Sequence, residues 1–205
     1  MEKGIYVFKR FERFWHWAQA LLIITMLITG FEIHGSYQFF GYEKAVEVHT
    51  TAAWFLIILW IFAIFWHFTT GEWKQYIPDT DMGMTFKIMK FYTVGIFTGD
   101  PHPYRVRPER KHNPLQRISY LSVKLLINPL VWISGLLYLF YTDWHVFGLQ
   151  GLSLSWVALA HTIGAYLMLV FLIGHLYMIT TGRTVFSQIK AMITGWDDEN
   201  EAEDK

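Results

Sequence analysis

Histidine is the residue type best placed for chemistry in this 205-residue chain, because five histidines lie within or at the ends of long apolar segments. An ionisable side chain inside a membrane-spanning segment is costly and by default marks a function. Imidazole is also the commonest side-chain ligand of metals. Any one of these histidines alone fits a packing role, but their spacing favours ligation by the set: His16, His49, His67, His161 and His175.

His161 and His175 are fourteen residues apart in one apolar segment. In an α-helix that step ends about 40° short of four turns, so both rings project from one face, about 21 Å apart along the axis. Two ligands so placed suit two stacked b-type haems, one near each membrane surface. The absence of cysteine excludes covalent CxxCH attachment, thiolate zinc sites and iron–sulfur clusters within this chain.

Four apolar segments are long enough to be the helices that position these histidines. Apolar residues make up 53% of the chain and charged residues only 17%, against about 25% in soluble domains. We therefore predict an all-α membrane protein, a bundle of four transmembrane helices in one domain, 1–196. The spans are expected at about 14–33, 46–68, 118–141 and 156–180, and the acidic residues 197–205 are expected to be a disordered tail.

The basic residues predict the orientation of the spans. They cluster before the first span, in the 69–117 connection and after the fourth span, whereas Lys44 is the only Lys or Arg in the connections at 34–45 and 142–155. Both termini and the long loop are therefore expected in the cytoplasm. Within that loop, 84–97 is predicted to form an amphipathic helix on the membrane surface.

Depth then pairs the histidines. His49 lies a few residues below the outer surface, as His161 does, so these two are expected to ligate the outer haem. His16 lies near the cytoplasmic surface at the level of His175, and these two are expected to ligate the inner haem. Four span glycines would allow close approach of either a flat macrocycle or a neighbouring helix: Gly30, Gly135, Gly164 and Gly174.

His67 is the histidine that this pairing leaves over. It is eighteen residues from His49, five whole turns, and so shares its face of the helix, where it could replace His16 or His175. Its depth is about 27 Å below His49, roughly a turn beyond His175. We therefore expect a packing or propionate-contacting role. Arg13 and Arg183 are the candidate cationic partners of the inner-haem propionates, although interfacial snorkelling also explains both.

This pattern resembles the membrane dihaem cytochrome b family of bacterial respiratory enzymes. The family includes the cytochrome b subunits of formate dehydrogenase, nickel–iron hydrogenase and thiosulfate reductase, and the bacterial cytochrome b561 proteins. The resemblance rests on RFERFWHW with His16, on Thr29-Gly30, on His49 opening the second helix, and on the His161–His175 spacing. It implies the same two ligand pairs, the bacterial inner membrane, and an outer-face iron–sulfur or multihaem partner subunit.

A quinone site is also implied by the resemblance. The formate dehydrogenase branch reacts with quinone on the cytoplasmic side, beside a Tyr-Asn-x-Gly-Gln-Lys motif. The matching stretch here, 111–117, keeps Asn113, Gln116 and a basic residue, Arg117, but lacks the Tyr and Gly. Menaquinone or ubiquinone is the expected substrate. The same residues also fit a helix N-terminus, with Asn113 as the cap and Pro114 in the first position.

Three functions follow from these observations. The first is an electron-transfer subunit linking a quinone to an outer partner, and the second is a stand-alone quinone reductase of the cytochrome b561 type. The third, a histidine-based transporter, would need broken helices or acidic residues in the spans, and the spans offer only Glu32 and Glu47 near the outer edge. Nucleic-acid binding has no electrostatic support, since 17 basic residues balance 17 acidic ones.

Overall fold

The computed structural model describes residues 4–78, 81–104 and 106–197, and most of them are helical. Apart from Asp197, the predicted acidic tail lies outside the described residues. The elements in chain order are β1 (Ile5–Tyr6), α1 (Arg10–Ile33), α2 (Tyr42–Thr70), α3 (Met82–Lys90), α4 (Ile96–Thr98), α5 (Pro114–Ser122), α6 (Asn128–Leu139), α7 (Leu154–Ile179), α8 (Ser187–Thr194) and β2 (Trp196–Asp197).

Four continuous helices are long and apolar enough to cross a membrane: Arg10–Ile33, Tyr42–Thr70, Pro114–Leu139 and Leu154–Ile179. The predicted all-α architecture of four spans is thereby confirmed. Each helix begins before the predicted span does, and the first turns of α1, α2 and α5 contain charged or polar residues that hydropathy leaves out. In α1 this turn carries Glu12, whose carboxylate accepts a hydrogen bond from the Lys9 backbone N–H at 2.7 Å.

The chain divides into two compact units. The first contains β1, α1, α2, α8 and β2, together with the loop residues 106–111. Its helices α1 and α2 pack antiparallel, as shown by contacts at opposite ends: Phe11 with Trp66, and Thr29 with His49. The two short strands pair antiparallel, with Ile5 opposite Asp197 and Tyr6 opposite Trp196, so they join two distant parts of the chain.

A buried carboxylate organises the connection between α1 and α2. Glu32 is only 5% exposed, and its Oε1 accepts backbone N–H groups from Phe39, Phe40 and Gly41, each at 2.7 Å. Gly41 is the N-cap of α2. The negative charge therefore lies at the positive end of the α2 dipole, where it is stabilised.

The second unit contains α3 to α7. Helix α6 packs closely on α7 at Gly164, where an added Cβ would lie 2.6 Å from Val131 Cγ2. Helix α3 continues through a π-helical turn at Phe91–Gly95 into α4, which confirms the predicted helix at 84–97. Its inner face buries Ile88, Phe91 and Tyr92.

A second π-helical turn, Val123–Ile127, joins α5 to α6 within the third span. The N–H of Asn128 bonds to the carbonyl of Val123, five residues earlier. Pro129 explains the wider turn, because proline lacks an N–H and its ring clashes with the carbonyl four residues before it.

Candidate functional site

His49 lies in the second turn of α2 and faces a buried hydroxyl on α1. Its Nδ1 is 3.0 Å from Oγ1 of Thr29, a side chain with no exposed surface. The Thr29 hydroxyl donates its single hydrogen to the carbonyl of Thr25 at 2.8 Å. Towards His49 it can then only accept, and this arrangement favours the imidazole that has its proton on Nδ1 and its lone pair on Nε2.

His161 has the same environment in the second unit. Its Nδ1 lies 3.2 Å from Oγ of buried Ser134 on α6 and 3.1 Å from the carbonyl of Val131. The Ser134 hydroxyl donates to the carbonyl of Leu130. Both acceptors thus place the His161 proton on Nδ1, again leaving the lone pair on Nε2.

A glycine follows each of these hydroxyl residues and makes room for the imidazole. A Cβ built on Gly30 would lie 3.3 Å from Cε1 of His49, and one built on Gly135 would lie 3.1 Å from Cε1 of His161. Both distances are tighter than ordinary carbon contacts, so a side chain at either position would press on the ring. Of the four glycines predicted to allow close approach, these two lie against histidines, whereas Gly164 lies where α6 packs on α7.

The other two predicted ligands lie among aromatic rings. His16 on α1 is edge-on to Trp17, with ring centroids 5.1 Å apart. His175 on α7 stacks on Phe171 at 5.9 Å and an interplanar angle of 16°. The Nδ1 atoms of both histidines are buried. Aromatic walls of this kind suit the binding of a flat apolar macrocycle.

His67 is only 6% exposed and packs within the first unit. Its Nδ1 donates to the carbonyl of Ala63 at 2.6 Å, and its ring is edge-on to Trp15 and Trp66. These are the contacts of a packed side chain, and the expected choice between packing and propionate contact stays a prediction.

Arg13 and Arg183 differ in their surroundings. Arg13 Nη1 donates to the carbonyl of Ile193 at 2.5 Å, while its buried Nε forms no hydrogen bond to any residue that the structure describes. Trp17 Nε1 donates to the neighbouring carbonyl of Met192 at 3.2 Å. These two bonds attach the end of α8 to α1, whereas Arg183 is exposed.

A buried ionic cluster was not predicted from the sequence. Lys111 Nζ contacts both carboxylate oxygens of Glu12 at 2.8 Å and Oε2 of Glu72 at 2.9 Å, and its side chain is only 3% exposed. Lys9 Nζ pairs with Oε1 of Glu72 at 2.6 Å. We name these four residues, Lys9, Glu12, Glu72 and Lys111, the ionic cluster. It secures the loop containing Lys111 to the start of α1.

Two groups of the ionic cluster have shifted pKa values. Burial opposes ionisation of Glu72, but the hydrogen bonds from Lys9 and Lys111 outweigh it and lower the pKa of that carboxyl. The hydrogen bond to Glu72 raises the pKa of Lys9 against a smaller opposing effect of burial. Both groups are therefore held in their charged forms.

The predicted quinone residues lie together at the start of α5. The Asn113 side chain accepts from the Gln116 N–H at 2.8 Å, and the Gln116 side chain accepts from the Asn113 N–H at 3.0 Å. Arg117 Nε donates to the carbonyl of His112 at 3.0 Å. The reciprocal capping box and Pro114 confirm the helix N-terminus that these residues predict.

Comparison with known proteins gives a consistent family. A family model described as prokaryotic cytochrome b561 matches residues 7–195. A cytochrome named YdhU from Escherichia coli (strain K12) is 30% identical over 198 residues, which cover 94% of this chain and 74% of that protein. A Ni/Fe-hydrogenase B-type cytochrome subunit from Rhizobium leguminosarum bv. viciae is 24% identical over 221 residues, covering 94% of this chain and 88% of that subunit. No solved structure is significantly similar to this chain.

Proposed function

The chain belongs to the prokaryotic cytochrome b561 family, and from this we propose that it is a dihaem electron-transfer subunit between a quinone and a redox partner. Family membership makes it a multi-pass membrane cytochrome that binds b-type haem, which displaces the transporter hypothesis. Beyond family membership, we propose two haems with four histidine ligands, a quinone substrate and a redox partner.

The observation that carries the proposal is that Nδ1 of His49 and Nδ1 of His161 each contact an oxygen acceptor. Both imidazoles have Nδ1 committed as a donor, so both present Nε2 as the basic nitrogen that haem iron requires. When bound, haem supplies reversible one-electron transfer. The chain's own part is to hold neutral imidazoles in fixed orientation within apolar surroundings.

We assign His49 and His161 to the outer haem, and His16 and His175 to the inner haem. Their positions along the helices support this pairing, because His49 and His161 each lie in the second turn of their helix. His175 follows His161 by fourteen residues within α7. His16 lies in the second turn of α1, which runs antiparallel to α2.

The proposed quinone, menaquinone or ubiquinone, would bind beside Asn113, Gln116 and Arg117 and exchange protons with the cytoplasm. Buried polarity supports this location, since Asn113 is 3% exposed and Arg117 is 7% exposed. The similarity to a hydrogenase cytochrome subunit supports a partner that carries its own catalytic centre at the outer face of the bacterial inner membrane.

Haem content of the purified protein tests the ligand assignment. We expect two b-type haems per chain, measured as the pyridine haemochrome against protein concentration. His49→Ala and His161→Ala should each lose the same single haem, and His16→Ala and His175→Ala should each lose the other. His67→Ala is the matched control and should keep both haems. Loss of one haem from His67→Ala alone would refute the inner pairing.

A stand-alone quinone reductase is the second candidate, favoured by the cytochrome b561 description of the family. Purification under mild detergent separates the two functions. A cofactor-bearing subunit that remains bound to the chain supports the first. Full quinone reductase activity of the isolated chain supports the second.

A further inference from the structure

Two helix pairs in this chain present a histidine in the same way. His49 is seven residues after Tyr42, the first residue of α2, and His161 is seven residues after Leu154, the first residue of α7. The helix before each one carries a hydroxyl residue and then a glycine facing that histidine: Thr29-Gly30 on α1 and Ser134-Gly135 on α6. We name each such set a histidine cradle. The cradles repeat although the sequence shows no evident internal repeat.

We propose that Thr29 and Ser134 are positioning residues that fix the tautomer and ring orientation of the outer-haem ligands and lower that haem's reduction potential. This inference rests on the proposed function, because it takes His49 and His161 as haem ligands.

The hydroxyl groups are committed acceptors. Thr29 and Ser134 each donate to a backbone carbonyl of their own helix, four residues earlier, at Thr25 and Leu130. Rotation of the hydroxyl to donate towards the imidazole would break that bond inside an apolar span, where a lost bond is not replaced by water. Each cradle therefore selects the imidazole with hydrogen on Nδ1.

Acceptance of the Nδ1 hydrogen has an electronic consequence. A hydrogen bond at Nδ1 increases the basicity of the ligating nitrogen. A more basic ligand stabilises the oxidised iron more than the reduced iron, so the potential falls. The glycine contributes geometry, since it lets the ring approach to a distance at which a methyl group would press on Cε1.

The two cradles are not equal in strength. Nδ1 of His161 lies 3.1 Å from the Val131 carbonyl as well as 3.2 Å from Ser134 Oγ. The backbone carbonyl remains when Ser134 is changed, so Ser134→Ala should have only a partial effect. Thr29 is accordingly the residue at which the proposal is tested first.

The test compares Thr29→Val with Thr25→Val in the full-length haem-loaded protein. Valine keeps the shape of threonine without its hydroxyl. Thr25 is the matched control, because its hydroxyl also donates four residues back, to Leu21 at 2.8 Å, and no described hydrogen bond joins its side chain to a histidine. Redox titration followed by haem absorbance and low-spin EPR are the measurements.

We expect Thr29→Val to keep two haems and to raise the potential of one of them. Loss of one neutral hydrogen bond corresponds to about a threefold change in the reduction equilibrium, or about 28 mV for one electron. The EPR signal of that haem should shift as the ligand ring gains freedom, and Thr29→Ser should restore both values. Ser134→Ala should move the same haem in the same direction by less.

Identical potentials and EPR signals for Thr29→Val and Thr25→Val would overturn the proposal, as would shifts of different haems by Thr29→Val and Ser134→Ala. The ligand assignment is checked separately by His49→Ala. If that variant keeps both haems, His49 is not a haem ligand and the proposed ligand assignment is wrong. If it loses one haem while Thr29→Val matches the control, only the positioning role fails.

Discussion

Single polar side chains determine the surroundings of the candidate ligands and of the start of α1. Thr29 and Ser134 contact His49 and His161, and Lys111 lies between Glu12 and Glu72. The span histidines are visible in the sequence because an ionisable residue stands out in an apolar segment. The hydroxyl partners of His49 and His161 are not visible, since threonine and serine are common in spans and their roles depend on helix register. The ionic cluster is similarly hidden, because Lys111 and Glu12 are 99 residues apart.

Substitution of Lys111 tests how much the ionic cluster contributes to stability. Lys111→Met leaves Glu12 and Glu72 close together without their shared cation, and removal of one partner from a buried ion pair costs about 3–5 kcal/mol. We expect a marked fall in the thermal unfolding midpoint of the purified protein. Lys44→Met is the control, because Lys44 and Glu47 form an exposed pair and should contribute about 0–1 kcal/mol.

The effect of Lys111→Met should depend on pH. The lowered pKa of Glu72 means that its contribution to stability is present above the ordinary value of 4.5 and is lost as pH falls through the folded-state value. The difference in unfolding midpoint between wild type and Lys111→Met should therefore shrink below about pH 4.5. A difference that stays constant until the carboxylates of the ionic cluster are protonated, and beyond, would show that their charges do not stabilise the fold.

At the scale of helices, hydropathy predicts which segments span the membrane but not where the helices begin. The residue at which a helix begins depends on its N-cap, such as Asn113 for α5 and Gly41 for α2. The π-helical turn in the third span has a sequence cause in Pro129, yet the sequence indicates only an interruption there. The position of the widened turn relative to Pro129 depends on how α5 and α6 pack.

Asn113 caps the N-terminus of α5 and is also a proposed quinone contact, so substitutions at this position can separate the two roles. Serine caps a helix about as well as asparagine but has no amide. We expect Asn113→Ser to keep the thermal stability and haem content of wild type while slowing reduction of the haems by quinol. Reduction by dithionite should be unchanged.

Asn113→Ala separates the two roles further, since it should also lower stability by about 0.5–2 kcal/mol through loss of the cap. A wild-type rate of quinol-dependent reduction in Asn113→Ser would exclude the Asn113 amide from the quinone site.

At the scale of the whole molecule, the distribution of basic residues predicts how the chain lies in the membrane. Lys and Arg residues cluster before α1, in the connection between α2 and α5, and after α7, so those parts should be cytoplasmic. A fluorescent protein fused after Asp197 should fluoresce, and alkaline phosphatase fused there should be inactive. Phosphatase fused after Gly35, in the α1–α2 connection, should be active. The reverse pattern would place the two proposed haems at opposite surfaces from those assigned.

The pairing of β1 with β2 has a consequence for biosynthesis. The first unit is discontinuous in sequence: α1 and α2 leave the ribosome early, while α8 and β2 follow the whole of α3–α7. Until then, Tyr6 lacks the ring of Trp196, and the side chains of Arg13 and Trp17 lack the carbonyls of Ile193 and Met192. The unit that contains the first two inserted helices therefore lacks part of its contacts until the end of the chain is made. Once β2 pairs with β1, translation has already passed α6 and α7, the helices that carry the His161 cradle.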